Sequence, residues 1–173
     1  MPRTDGNGTQ VSITLNILAS YRRPRQVFRG LLAQGRREDR ALMYLMVSCL
    51  LLFVAQWPRL MREAEAGGEV PFQGLVAGAL FGWLFVAPLL FFGLAALLHL
   101  LLRALRRPST WHGTRTVLFW SLLAITPVML FHGLLLGYAG AGAGATVVGF
   151  VVLGAFLYIL GQGLRELAVG GTA

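Results

Sequence analysis

GTRTVLFWSLLAITPVMLFHGLLLG, residues Gly113 to Gly137, decides how this chain folds. After Arg115 it carries no charged residue as far as Gly137 and beyond. Roughly 20 apolar residues rising 1.5 Å each cross a hydrocarbon core of about 30 Å. The stretch therefore reads as a membrane span, and it must be helical to satisfy its own backbone in a solvent without water.

Composition extends that reading to the whole chain. Of 173 residues 56% are hydrophobic and only 13% charged, with a mean hydropathy of +0.67. Once the basic clusters are set aside, too little charge remains to cover a water-soluble domain. Three further spans follow. Span 1 is Ala41 to Trp57, at the short end of the range, with Trp57 and Pro58 at an interfacial exit. Span 2 covers residues 74–102 of an uncharged run that begins at Phe72, and Pro88 is expected to kink it by freeing the Leu84 carbonyl. Span 3 is residues 116–138, with a second expected kink at Pro127. The AGAGA run of Ala139 to Ala143 is a tight hairpin into span 4, residues 144–164, and residues 169–173 form a tail. The fold class expected is an all-α polytopic membrane helix bundle, four transmembrane helices (domain 41–168) preceded by a short basic amphipathic helix.

That helix belongs to a polar, basic N-terminal segment, residues 1–40. It lacks the apolar core of a signal peptide. Residues Met1 to Gln10 have no apolar run and are expected to be disordered. Val11 to Tyr21 fits either an alternating strand or a wide helical face; helix is the reading adopted, since a lone strand finds no partner. Pro24 opens a second short helix with Val27, Phe28, Leu31 and Leu32 on one face. Arg25, Arg29 and Arg36 lie beside that face and, with Arg22 and Arg23, are candidates for anionic lipid headgroups. Packing of the same helix under the bundle is the alternative. RREDR, Arg36 to Arg40, is a hydrated hinge.

Arginine distribution orients the bundle. With the N-terminus inside, thirteen of the fifteen arginines lie in inside segments and two in the one sizeable outside loop, Arg59 to Val70. The positive-inside rule then places both termini in the cytoplasm. Net charge +8 and a pI near 11.2 would elsewhere raise nucleic acid. Here the arginines sit at the ends of apolar runs, no reading module is present, and no nucleic-acid partner is expected. Every basic side chain is Arg, which pairs bidentately with phosphate.

No arrangement of residues announces chemistry. One cysteine (Cys49), three histidines and seven acids show no metal-ligand spacing, and without lysine no phosphate-cradling loop of the usual kind can form. No nucleophile elbow occurs. No enzyme, cofactor or metal is expected. His132 is the clear ionisable residue within a span, about 7 Å from its midpoint. With no intramembrane acid beside it, a hydrogen bond to a neighbouring helix is favoured over a proton relay. Gln162, between Gly161 and Gly163, is read as the same kind of glue. Gly74, Gly78 and Gly82 recur every four residues in span 2, and Gly133 and Gly137 repeat the spacing in span 3. Such rows admit close helix approach, so spans 2 and 3 are expected to meet there, a dimer interface being the second reading.

Taken together, PRQVF (Pro24 to Phe28) ahead of the first span and the later motif carry a family resemblance. In the later motif Gly113 and Arg115 lead into Phe119, Trp120, Ser121, Leu122 and Leu123, with Pro127 central and a Gly/Ala hairpin before the last span. Over residues 20–168 the chain resembles the bacterial branch of the Yip1 family. Members commonly have five spans where four are counted here. The eukaryotic branch carries an Asp-Leu-Tyr-Gly-Pro type motif, absent from this sequence, so small-GTPase binding is not expected. The resemblance implies an integral membrane scaffold or trafficking-type protein, here in a bacterial inner membrane, acting through lipid, homo-oligomeric or other membrane-protein contacts. Two alternatives accompany it: a small transporter or channel using the Pro88 and Pro127 kinks and His132, and an anchor recruiting a cytosolic partner through its basic N-terminal segment.

Overall fold

The computed structural model describes residues 15–33, 38–67, 70–140 and 142–170, and all regular structure among them is helical. The expected disorder of residues 1–10, the start of the 11–21 segment, Arg36 and the end of the tail lie outside the described residues. α1 (15–22) and α2 (Pro24–Ala33) precede four long helices. These are α3 (Glu38–Glu65), α4 (Phe72–Ala104), α5 (Trp111–Ala139) and α6 (Ala143–Gly170). All four are long and apolar enough to cross a membrane. From residue 15 onward the ambiguous N-terminal segment is helix, not strand.

The spans run further than hydropathy suggests. α3 starts at Glu38, inside the expected hinge, with Glu38 and Asp39 in its first turn where the positive end of the helix dipole favours acids. It then passes Trp57 and Pro58 and continues to Glu65 through the expected outside loop. Pro58 removes one hydrogen bond, but the exposed turns beyond it regain support from an Arg59–Glu63 pair at 3.6 Å, one helical turn apart. α6 likewise continues past Leu164 to Gly170.

Neither intramembrane proline breaks its helix. Ahead of Pro88, residues Gly82–Val86 form a π turn, in which the Ala87 N–H donates to the Gly82 carbonyl five residues back. Proline then falls at the start of the next α-helical segment, where its missing N–H is tolerated. At Pro127 the carbonyl left without a backbone donor belongs to Leu123, and the Thr126 hydroxyl donates to it at 2.7 Å. α5 therefore continues through Pro127.

α5 is the axis. It packs against α2, α3, α4 and α6, and from Thr116 to Thr126 every residue is buried. A helix that is apolar all round is one enclosed all round. Over an apolar 18-residue stretch of each helix, 61% of α5 is buried, against 44% of α3 and 17% each of α4 and α6. The core gathers Phe28 of α2, Tyr44, Leu45 and Cys49 of α3, and Leu118 to Trp120 of α5. α3 and α5 are thus the central pair, and α4 and α6 lie outside it with long apolar faces uncovered.

Candidate functional site

The two ends of this bundle are held by different chemistry. The arginine-rich end is closed by the N-terminal helices. α1 meets α5 through two hydrogen bonds: the Trp120 indole N–H donates to Ser20 Oγ at 3.0 Å, and the Tyr21 hydroxyl donates to the Ala124 carbonyl at 2.6 Å, while Ser20 Oγ itself donates within α1 to the Asn16 carbonyl at 2.7 Å. Ser20 and Trp120 are fully buried, and the edge of one ring meets the face of the other where Tyr44 packs on Trp120 at 5.0 Å. A buried indole N–H needs an acceptor, and α1 supplies it.

α2 then lies across α5 and α6. Phe28 is fully buried and Val27 nearly so. A β-carbon at Gly163 would stand 2.6 Å from Val117 Cγ1 and 2.9 Å from the Phe28 ring, so the bare glycine makes room for that ring. The apolar face of α2 is therefore spent on protein rather than laid on lipid, as the interfacial reading had it. Its arginines are engaged as well. Arg25 Nε donates to Gln162 Oε1 at 3.0 Å, and Arg29 Nη2 donates to Glu166 Oε2 at 3.2 Å. Arg25 Nε also lies 3.7 Å from Glu166 Oε1. Glu166 is 8% exposed while both arginines are mostly exposed, so the clamp is screened on one side and is worth about 1 kcal/mol at most. Arg22 and Arg23 are exposed at the junction of α1 and α2.

Depth follows from helix rise. Val117 and Gly163 stand about 30 Å from the hairpin end of α5 and α6 at 1.5 Å per residue, one hydrocarbon thickness away. Tyr21, bonded at Ala124, reaches roughly 10 Å deeper. α1 thus runs down the flank of α5 below the level of α2, with Leu15 and Leu18 about 60% exposed.

At the hairpin end, side chains give way to backbone. A β-carbon on Gly133 would collide with the Ala55 carbonyl, and one on Gly137 with Pro58. These two glycines thus meet α3. Gly78 and Gly82 have open space where a β-carbon would stand, and Gly74 faces only the local Val70 and Pro71 side chains. Spans 2 and 3 do not meet along paired glycine rows. Arg62, from the extension of α3, donates from Nη1 to the Gly137 and Tyr138 carbonyls at 3.1 and 3.2 Å. It thereby caps the negative end of α5. Gly140, at φ +77°, lets the chain leave that cap.

His132 Nε2 lies 3.0 Å from the Ala145 carbonyl, joining α5 to α6 if that nitrogen carries the proton. The ring borders an apolar groove of about 430 Å³ between α5 and α6 and, on the other side of α5, a 220 Å³ cavity that also reaches Gln56 and Arg59. Among the described residues no three His, Cys, Asp or Glu side chains gather as a metal set. Ser20, Tyr21, Arg62 and Glu166 were not singled out by sequence reasoning. Their partners lie 75 to 137 residues away, beyond any local periodicity.

No curated protein and no solved structure matches the chain. A family model described as the Yip1 domain matches residues 18–171. It takes in the end of α1 and the whole of α2 together with the four spans, the elements that the Ser20–Trp120 and Arg29–Glu166 contacts tie into one unit, and the chain belongs to the Yip1 family.

Proposed function

We propose that this protein is a non-catalytic scaffold of Yip1 type, multi-pass in a bacterial inner membrane with both termini in the cytoplasm. It organises lipids and partner membrane proteins, a second copy of itself included, through helix–helix contacts. The observation that carries this reading is the unequal cover of the helices. α3 and α5 satisfy each other, whereas α4 and α6 keep most of their apolar surface uncovered, and α4 presents Gly78 and Gly82 on it with nothing packed there. A rigid inner pair with open outer helices suits a platform. The N-terminal segment works as part of that platform, since Arg25 and Arg29 end on Gln162 and Glu166.

Gly78→Leu tests this cleanly because the site is open within the chain. Cross-linking in native membranes should lose high-mass complexes while the purified monomer keeps its thermal midpoint. Complexes that survive the substitution unchanged would remove the α4 face as an interface. Sidedness is tested separately in a Cys49→Ser background with single substitutions Glu65→Cys, Ser109→Cys and Ala141→Cys. An impermeant thiol reagent applied to intact cells should label at 65 and 141 only. A second reading, a small transporter or channel, draws on His132 standing between two cavities. It requires liposome flux that His132→Ala abolishes.

A further inference from the structure

Beside the clamp of α2, the arginine-rich end holds a second concavity that the scaffold reading does not use. Between the end of α4 and the start of α5 lies a cavity of about 640 Å³ whose wall includes His99, Arg103, Arg107, Ser109, Trp111 and His112. The chain is bent into it by a tight closure. Arg106 N–H donates to the Arg103 carbonyl and Arg107 N–H to the Leu102 carbonyl, with Arg106 itself at φ +53°. Glycine is the usual residue in that left-handed position. Here an arginine occupies it, and Arg103 and Arg107 on either side both line the cavity.

The cavity is also lined by the positive end of the 29-residue α5. Thr110 caps it: Gly113 N–H donates to Thr110 Oγ1 at 3.1 Å, and Thr114 N–H donates to the Thr110 carbonyl at 3.0 Å. Trp111 and His112 precede these two, so their backbone N–H groups are the first of the helix, and both residues line the cavity. Two histidines complete the lining. His99 is 7% exposed, its Nδ1 3.1 Å from Ser109 Oγ and its ring 4.3 Å from that of Trp111. His112 keeps Nε2 3.4 Å from Thr116 Oγ1, while its Nδ1 is shielded and has no hydrogen-bond partner among the described residues. A shielded polar nitrogen without a partner is costly unless something else meets it. Among the described residues the one acid lining the cavity, Glu38, faces Arg115 at 4.0 Å. Two guanidinium groups, a helix start and a histidine pair therefore surround a space large enough for a phosphate and the groups attached to it.

We propose that this cleft binds a phosphate group, held by Arg103 and Arg107 through paired N–H···O bonds and by the first N–H groups of α5. Its source is the headgroup of an anionic phospholipid. Trp111 lies about 42 Å from the hairpin end of α5, which matches a bilayer of about 40–45 Å measured across its headgroups. The choice of source rests on the membrane placement above. The site itself rests on the residues around the cavity.

The test uses the full chain purified in a zwitterionic detergent, with the thermal midpoint and native mass spectrometry as readouts. Probes are a short-chain phosphatidylglycerol, a short-chain phosphatidylcholine and inorganic phosphate. Phosphatidylglycerol should raise the midpoint and remain bound at about one copy, phosphatidylcholine should do so weakly, and phosphate alone should do nothing at millimolar concentration. Arg103→Gln with Arg107→Gln should weaken the anionic lipid by at least on the order of tenfold, the scale of one lost charge-assisted contact. Arg165→Gln, on an exposed position of α6, should leave it unchanged. Ser109→Asp keeps both arginines and should weaken binding by adding a negative charge to the wall. Stabilisation by inorganic phosphate equal to that by lipid would overturn the lipid source. Equal lipid binding by wild type and the double variant would overturn the site. Neither result depends on the complexes that Gly78→Leu reports.

Discussion

The two halves of α5 have the same job and opposite means. Before Pro127 the helix is buried on every side by large groups: Trp120 against Tyr44, Phe119 against Phe92 at 5.1 Å, and Ser20 and Tyr21 bonded into its flank. After Pro127 it exposes Phe131, Leu134 and Tyr138, and its contact with α3 is made by two glycines with almost no side chain between the backbones. In a bilayer, where lipid is as apolar as leucine, burying apolar area gives little by itself. Close packing and satisfied polar groups must hold helices together. One half uses interlocking rings and hydroxyls, the other uses proximity.

The difference can be broken from either side. Gly133→Leu should have the largest effect, since the added side chain meets the Ala55 backbone, which cannot move aside. Loss of about 3 kcal/mol or more is expected, read as disappearance of the monodisperse peak on detergent size-exclusion. Trp120→Ala should cost somewhat less, about 3 kcal/mol at the low end of buried-aromatic deletions because lipid rather than water receives the unfolded ring. A thermal melt in detergent measures it. Arg62→Ala uncaps α5 near the hairpin and should cost about 1 kcal/mol, with faster hydrogen exchange confined to residues just before Gly140. Tyr21→Phe removes one hydrogen bond from the α1 contact, about 0.6 kcal/mol, and should increase proteolysis of α1 before the global melt changes. Smallest of all, Gly78→Leu should shift the monomer's midpoint by less than about 0.5 kcal/mol. If it costs as much as Gly133→Leu, the two glycine rows are equivalent and the contrast between them fails.

Much of this was legible in the sequence, for identifiable reasons. Hydropathy found the four spans because a bilayer imposes length and apolarity on each segment separately. It misplaced the end of α3, since a charged continuation such as Arg59 to Glu65 reads as loop while nothing physical prevents a helix from continuing into water. Glycine spacing exposed the rows but could not name the neighbour, and Gly133 turned out to face Ala55 rather than Gly78. Pro127 was legible as an interruption of span 3, and Thr126, the residue immediately before it, was available to be read as the donor that satisfies the Leu123 carbonyl. Trp120 with Ser20, and Arg29 with Glu166, were out of reach, for they depend on how α1 and α2 fold back on the bundle.

The π turn at Gly82–Val86 has a consequence for heredity. Thirty residues separate Phe72 from Leu102, about 8.3 turns of ideal α-helix, which would leave the two roughly 120° apart around α4. Absorbing one extra residue in the π turn takes back about 100° of that, so the half-buried Phe72 and the buried Leu102 lie along one stripe. A chain that lost a single codon in this stretch would still encode a span of ample length and hydropathy. With the π turn closed to plain α-helix, the 29 steps left between Phe72 and Leu102 make about 8.06 turns, so His99 and Leu102 would keep their place beside α5. In such a helix the extra residue is a spare, one that can be lost without turning the face that meets α5.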